Sequence, residues 1–461
     1  MRDSGRTIRI QEEGHDAGYA LVSVLFLVTI LSILSALILK VQLFRHEAAS
    51  KSVDEVKAVY AANNGIEDAL ALPALPEYGD STFASDFPDS SLATVTVFQW
   101  GLFEGAVSKG RSNHCTQTRS GLIASLLSVN DSSAFVLGNL EHGLVFSGGS
   151  EIVGNIVVGP RGVSTGSLRD EITPSKIPVQ GRIRETTVST SLFGTALIDR
   201  EVSLTKAYLS GRRRTRMAQD YSGKTLDMTG YLLLNDVSDS IREIFSTGDL
   251  SLGGSIMKRG PPLNIVVTGH VRFLPGTSLI GPIAIYSNDS ISVPPQIRLI
   301  NCILSSPKSI DLQRGASVTA QVFSPVIRCS TNATANYPSL LVSVSLSDTG
   351  GVVQSINLES GSQIDGAVIL HGGVGITKDK AVVDLEPGSL VTGEVYTDCY
   401  LTMDGKVNGL VRAFDLYFYS SPTTYLGWLR NGVIDRELLP HGFLRPLGIS
   451  AYEKGAVITW M

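Results

Sequence analysis

INLESGSQIDGAVIL, residues 356–370, decides how the body of this chain folds. Ile356 and Leu358 alternate with polar residues and share one side of an extended strand, because successive strand side chains point to opposite faces. Glu359, Ser360 and Gly361 break the alternation, and Gly361 supplies the backbone freedom that a sharp turn needs. Ile364 and Val368 then return apolar side chains to the same interior. The unit is a bent strand pair with an apolar side that it cannot bury alone. Copies must stack along an axis, which is the logic of a solenoid.

Copies are present. LVFSGGSEIVGNIVV begins at Leu144, VRFLPGTSLIGPIAI at Val271, IDLQRGASVTAQVFS at Ile310 and VDLEPGSLVTGEVYT at Val383. The turn glycines of the five units are Gly149, Gly276, Gly315, Gly361 and Gly388, and the wider gaps between them leave room for further turns or insertions. Motifs such as QIDGAVI and LVTGEVY resemble the right-handed β-helices of bactofilin-like polymer-forming proteins. The fold expected is mainly β: a long N-terminal α-helix followed by a right-handed β-solenoid. An irregular β-sandwich is the alternative, because glycine-apolar alternation also occurs there.

Composition agrees with a turn-rich β chain. Of 461 residues, 46 are Gly while only 15 are Phe and 3 Trp. The formal net charge of −5 gives no basic field, so nucleic acid is not an expected partner. The four cysteines, Cys115, Cys302, Cys329 and Cys399, form no CxxC pair. Cys302 and Cys329 are spaced as Gly361 and Gly388 are, which leaves two readings open: a bridged or stacked pair, and buried free thiols acting as small hydrophobes.

The N terminus is different in kind. Residues 19–39 carry no charge, and at about 1.5 Å per helical residue they span roughly 31 Å, the depth of a bilayer's hydrocarbon core. A cleaved secretory signal is shorter and ends in a small-residue site that is missing here. Past Lys40, apolar residues at Val41, Phe44, Ala48, Val53, Val56, Tyr60, Ile66 and Leu70 recur at steps of three and four, so an amphipathic helix continues out of the span. Asn64 and Gly65 weaken it, and Pro73 and Pro76 stop it. One helix of about fifty residues results.

Gly18, Tyr19, the span ALVSVLFLVTILSILSAL and the segment AVYAANNGIEDALALP resemble the N terminus of type IV pilin-like proteins, in the minor-pilin and pseudopilin branch, over residues 14–72. The resemblance implies cleavage after Gly18 by a prepilin peptidase, methylation of Tyr19, and bundling of the helix with other pilin-like subunits. It implies a single-pass protein of the bacterial inner membrane with its head outside the cytoplasm. The family's major subunits carry a glutamate at the fifth mature position, where this chain has Ser23; that substitution suits a tip or minor subunit. The acidic leader, with Asp3, Glu12, Glu13 and Asp16, departs from the family's usual basic one.

No catalytic constellation stands out. The histidines show no HExxH, and no phosphate-loop, nucleophile-elbow or dinucleotide motif is present. No cofactor or metal is expected, and the chain is read as non-enzymatic. Asp311, Asp365, Asp384 and Asp404 fall at different repeat phases; a carbohydrate-active enzyme would need such carboxylates to converge on one face. The run SGRRRTRM, residues 210–217, is read as a solvated loop or a contact for an anionic surface. The domains expected are a leader (1–18), the helix (19–72), a linker and solenoid cap (73–132), the solenoid head (133–422) and a C-terminal cap (423–461) with a short helix before Pro440. A surface or carbohydrate ligand for the head is left unidentified. A signal-anchored scaffold polymerising through its solenoid ends is the alternative function.

Overall fold

The computed structural model describes residues 15–72, 81–126, 133–168, 171–188, 192–211, 219–220, 225–227, 243–258, 262–346, 353–372, 381–449 and 454–460. The leader before residue 15 and most of the 210–217 arginine run lie outside them. The chain is mainly β, with a long N-terminal helix and a parallel solenoid.

The solenoid is built on parallel ladders, with register shifts between them on several strands. Leu250, Val271, Ile291, Ile310, Ile327, Ile356, Val383, Leu401 and Leu416 stack one above another through nine strands, and every one is fully buried. A second ladder runs Leu279, Leu299, Val318, Ala335, Ile364, Val391 and Val407. A third runs Ile265, Ile285, Leu304, Val322, Leu341, Val368, Val395 and Val411. The three ladders converge on one apolar core. Each buried Leu, Ile or Val is worth about 1.5–3 kcal/mol relative to exposure, so the stack, rather than any single rung, carries stability.

Stacking order departs from chain order. Val407 is followed on its ladder by Ile434, then Ile152, then Val179, and Val411 by Phe135, Ile156 and Ile183. The first rungs in sequence therefore sit beyond the last ones. Between them the chain crosses the solenoid's flank through helix α2 (Ala196–Leu209). There Tyr208 stacks on Tyr286 with 4.6 Å between ring centroids, and Thr205 hydrogen-bonds Ser305 at 3.1 Å.

Four of the five expected turn glycines, Gly276, Gly315, Gly361 and Gly388, have φ between +74° and +84°, the left-handed region that favours glycine. In the first unit the left-handed residue is Gly148, at φ +63°, and Gly149 donates its N–H to Asn431 Oδ1 at 2.8 Å. The wide gaps hold further rungs, whose turns use Gln296 at φ +67° and Asn332 at φ +59°. All four cysteines are free thiols. Cys302 stands between Ile283 and Ala320, and Cys329 between Leu312 and Leu358, so they belong to different ladders and are not stacked. Burial pushes the Cys302 thiol up to about 12.

A second unit stands beside the solenoid. Helix α1 (His15–Ala71) ends on an antiparallel sheet of β1 (Ser81–Asp86), β2 (Leu92–Trp100), β3 (Phe103–Ser112) and β4 (Cys115–Leu126). Residues 81–126, expected to hold a linker and cap, make this sheet. The strand Ala456–Trp460 returns from the chain's far end to pair antiparallel with β4. The short helix expected before Pro440 is replaced by strands Thr423–Leu426, Trp428–Arg430 and Val433–Asp435. Gly427 at φ +75° and Asn431 at φ +54° interrupt the chain too often for a helical turn to propagate.

Candidate functional site

The chain's most exposed apolar surface is on α1. From Tyr19 through Leu43 the helix is exposed along its whole length; Tyr19 is 80% exposed and Phe26 67%. Its most apolar stretch has a mean hydropathy of 2.8 and is long enough to cross a membrane, as an anchor or a signal sequence does. Two of the hydroxyls within the stretch are satisfied locally. Thr29 Oγ1 donates to the Leu25 carbonyl at 2.7 Å, and Ser32 Oγ to the Val28 carbonyl at 2.8 Å, which removes the cost of a bare hydroxyl among apolar neighbours. Gly18 lies within α1, and Ser23 is on its exposed surface.

The rest of α1 carries two apolar faces. Ala58, Ala61, Ala62, Ile66 and Ala69 are at most 1% exposed and pack on Ala93, Val95, Ala106 and Ile123 of the sheet. Small residues let the helix lie close. A Cβ at Gly65 would fall 2.3 Å from Ser108 Oγ, and one at Gly110 would fall 2.1 Å from the Ala58 carbonyl oxygen. Val53, Val56 and Tyr60 point away and are 51–63% exposed. The sequence reads these bulky residues and Ile66 as one stripe; the structure divides them, because alanine rather than valine fits the tight contact.

Polar contacts fix where α1 leaves the head. Asp54 accepts from Asn113 Nδ2 at 2.8 Å and Ser112 Oγ at 3.3 Å, and Gln117 Nε2 donates to Glu55 Oε1 at 3.3 Å. At the other end, Lys454 pairs with Glu104 and donates to the Ala69 carbonyl at 3.0 Å. Both Lys454 and Glu104 side chains are under 5% exposed. A cation at a helix C terminus is favoured by the helix dipole, so the end of the chain locks the end of α1.

The helix-sheet unit is joined to the solenoid by a second core that includes Trp100, Leu102 and Phe103 on one side and Val266, Phe323, Ile369 and Tyr396 on the other. Gln321, on the solenoid, accepts from Leu102 N and donates to the Trp100 carbonyl, each at 2.8 Å. Arg445 and Glu394 form an ion pair at 3.1 Å with both side chains fully buried, and Tyr396 Oη donates to Glu394 at 2.9 Å. Burial first, then Glu394, holds the Tyr396 hydroxyl well above its ordinary range.

Elsewhere, side-chain clusters are small. Asp398 accepts from His371 Nδ1 at 2.7 Å and from Gly372 N at 2.8 Å; Asp415, fully buried, pairs with His142 at 2.5 Å. Burial lowers the His371 pKa, but its bond to Asp398 outweighs this, and the net direction is upward. Among the described residues no group of three His, Cys, Asp or Glu side chains is placed to hold a metal. Of the four aspartates singled out in the sequence, Asp384 and Asp404 are brought together with Glu386, and burial followed by these neighbours raises Asp384 to about 6. Asp311 shares the outward column of Asp384 but lies three rungs away. Asp365 sits on another strand column, beside Thr392.

No protein-family model matches the chain, and no curated protein matches it. Two solved structures are similar in part. The ice-binding protein from an Antarctic Flavobacteriaceae bacterium is 11% identical, with a TM-score of 0.20, covering 66% of this chain and 96% of that one. The competence-associated pilin ComZ from Thermus thermophilus is 9% identical, with a TM-score of 0.21, covering 88% of this chain and 96% of that one. At such scores neither likeness carries a functional argument, and the chain's own geometry has to supply one.

Proposed function

We propose that this chain is a non-enzymatic, minor pilin-like subunit of a type IV pilus or a type II secretion-like filament in a bacterial inner membrane. A prepilin peptidase cuts after Gly18, the new N terminus at Tyr19 is methylated, and α1 bundles with the helices of other pilin-like subunits. The observation that carries this reading is the second apolar face of α1. A helix that merely anchored the head would need apolar residues only within the bilayer, yet Val53, Val56 and Tyr60 continue the apolar surface beside the head. Ser23 offers no carboxylate to the amino group of a subunit above it, which suits the filament tip. The solenoid then projects outward as the binding or assembly head. The test is Gly18→Ala: the chain should no longer shorten in cells that hold the peptidase, and unchanged shortening contradicts the reading.

A second reading is favoured by the solenoid's terminal rung. Among the described residues Val179–Gln180 and Ile183–Glu185 pair with strands on one side, and Ile183 is 43% exposed. An open strand edge invites another chain, as a signal-anchored, bactofilin-like scaffold would require. The head freed of α1 residues 15–50 should then form filaments; a head that stays monomeric at high concentration removes this reading.

A further inference from the structure

The strand Lys406–Ser420 outgrows its rung and turns back as Thr423–Leu426, making an antiparallel hairpin that stands off the solenoid wall. Phe418 faces Tyr425 across it, and Tyr419 faces Thr424. Alternation therefore puts Phe418 and Tyr425 on one side of the hairpin and Tyr419 on the other. On the Phe418 side lie Tyr425, Trp428 and Arg430. Tyr425 lies 5.4 Å from Trp428, with the ring planes 70° apart so that the two faces form an angled corner, and 6.1 Å from Phe418 between ring centroids. Trp428 presses against Gly166, where an added Cβ would come within 2.4 Å of the indole. Arg430 stacks over Phe418 at 4.1 Å. Asp404 grips Arg430, with Nε at 2.9 Å from Oδ1, and Glu171 Oε1 lies 3.7 Å from Nε. Asp384 and Glu386 complete the corner. Tyr425, Trp428 and Arg430 are each partly open to solvent.

We propose that this corner binds an uncharged polysaccharide of β-linked pyranose units. The C–H faces of the sugar rings lie on Tyr425 and Trp428, and the hydroxyls bond to Asp384, Asp404 and Arg430. The chemistry selects this ligand. Aromatic rings offer flat apolar area with polar tips, and a few fixed polar groups around such area confer orientation. Among the described residues carboxylates outnumber the guanidinium: Asp384, Asp404, Glu386 and Glu171 stand near Arg430. A phosphate backbone or another polyanion is repelled there, whereas hydroxyls can donate to every one of these carboxylates. Holding Arg430 between Asp404 and Phe418 fixes its direction before any ligand arrives, which cuts the ordering cost of binding.

The test uses the full-length protein in a detergent without a sugar headgroup. Cellohexaose and chitohexaose are titrated against the protein's intrinsic tryptophan fluorescence, to which Trp100, Trp428 and Trp460 all contribute, and the variants are compared by retention on insoluble cellulose and chitin. Saturable binding to at least one of the two probes is expected, the preferred probe telling a glucan from an N-acetylated polymer. Tyr425→Ala should weaken it about tenfold, the loss of one ring contact of about 1.4 kcal/mol, with an unchanged melting temperature. Tyr419→Ala, on the opposite side of the same hairpin, should stay within about twofold, as surface changes away from a site do. The absence of saturable binding to both probes overturns the proposal. So does an equal loss in the Tyr419 and Tyr425 variants, which would trace the effect to the hairpin's fold rather than to its aromatic platform.

Discussion

The helix-sheet unit and the solenoid treat bulky apolar residues in opposite ways. In the solenoid, Ile, Leu and Val fill three ladders and are fully buried from rung to rung. In α1, the side chains buried against the sheet are those of four alanines and Ile66, with Leu70 partly buried beside them, while most of its Leu, Ile, Val, Phe and Tyr side chains are exposed. The cost of exposing so much apolar area in water is large, so α1 cannot be a finished surface. Among the described residues the solenoid buries its own apolar face and is paired on one side only at its two terminal rungs, Gln219–Asp220 with Thr225–Asp227 at one end and Val179–Gln180 with Ile183–Glu185 at the other. The helix keeps an exposed apolar stretch long enough to cross a membrane, as an anchor or a signal sequence does.

The comparison breaks most visibly at the glycines of the solenoid corner. Gly366, Gly393 and Gly409 share one column, and a Cβ on Gly393, at φ +144°, would sit 1.9 Å from the Gly366 carbonyl oxygen. Backbone cannot give way there. Gly393→Ala should cost more than about 4 kcal/mol and unfold the solenoid, while α1 keeps its helicity by circular dichroism in detergent. Lys454→Ala comes next, leaving Glu104 buried without its charge partner, at a cost of about 3–5 kcal/mol. Hydrogen exchange should then rise in β4 and the end of α1 while the solenoid core stays protected.

Asp384 gives a smaller, pH-dependent effect. Its folded pKa of about 6 stands above the ordinary aspartate value of 3.8, so the folded state holds the proton more tightly than the unfolded one. The stability this contributes is present below about 4 and is lost as pH rises through about 6. Asp384→Asn should accordingly raise the melting temperature relative to wild type above pH 6, with the difference shrinking toward pH 4; solvent screening keeps it modest. Smallest of all is Gly315→Asn. No atom lies within 4 Å of a Cβ there, and Asn332 already occupies the same turn position one rung away at φ +59°. The change should cost less than about 1 kcal/mol, read as the shift in the denaturant midpoint.

These positions also mark what the sequence could reveal. The rung of residues 356–370 was legible because alternation and a turn glycine are both local signals. The rungs that turn at Gln296 and Asn332 were hidden: the left-handed conformation is imposed there by the stack, on residues that do not advertise it. The sheet of residues 81–126, its completion by Ala456–Trp460, and the placing of residues 133–185 beyond Val407 depend on pairings between distant segments, which no local pattern encodes. The apolar span of α1 was plain from its missing charges. Its second face was not, since telling Val56 from Ala62 requires knowing which side the sheet occupies. The aromatic corner was missed because Phe418, Tyr425 and Trp428 come together only through the hairpin that replaces an expected helix.

The most direct test of the account is disulfide crosslinking in the native membrane, in a background where Cys115 is replaced by Ser. Cysteines are placed singly at Val53, Val56 and Tyr60, with Ala62→Cys as the inward control. The account predicts oxidant-dependent adducts between the Val56 position and another pilin-like helix carrying a cysteine at the facing position, and none from Ala62. Chains that stay monomeric at all three outward positions would contradict it, leaving α1 a plain anchor for the solenoid.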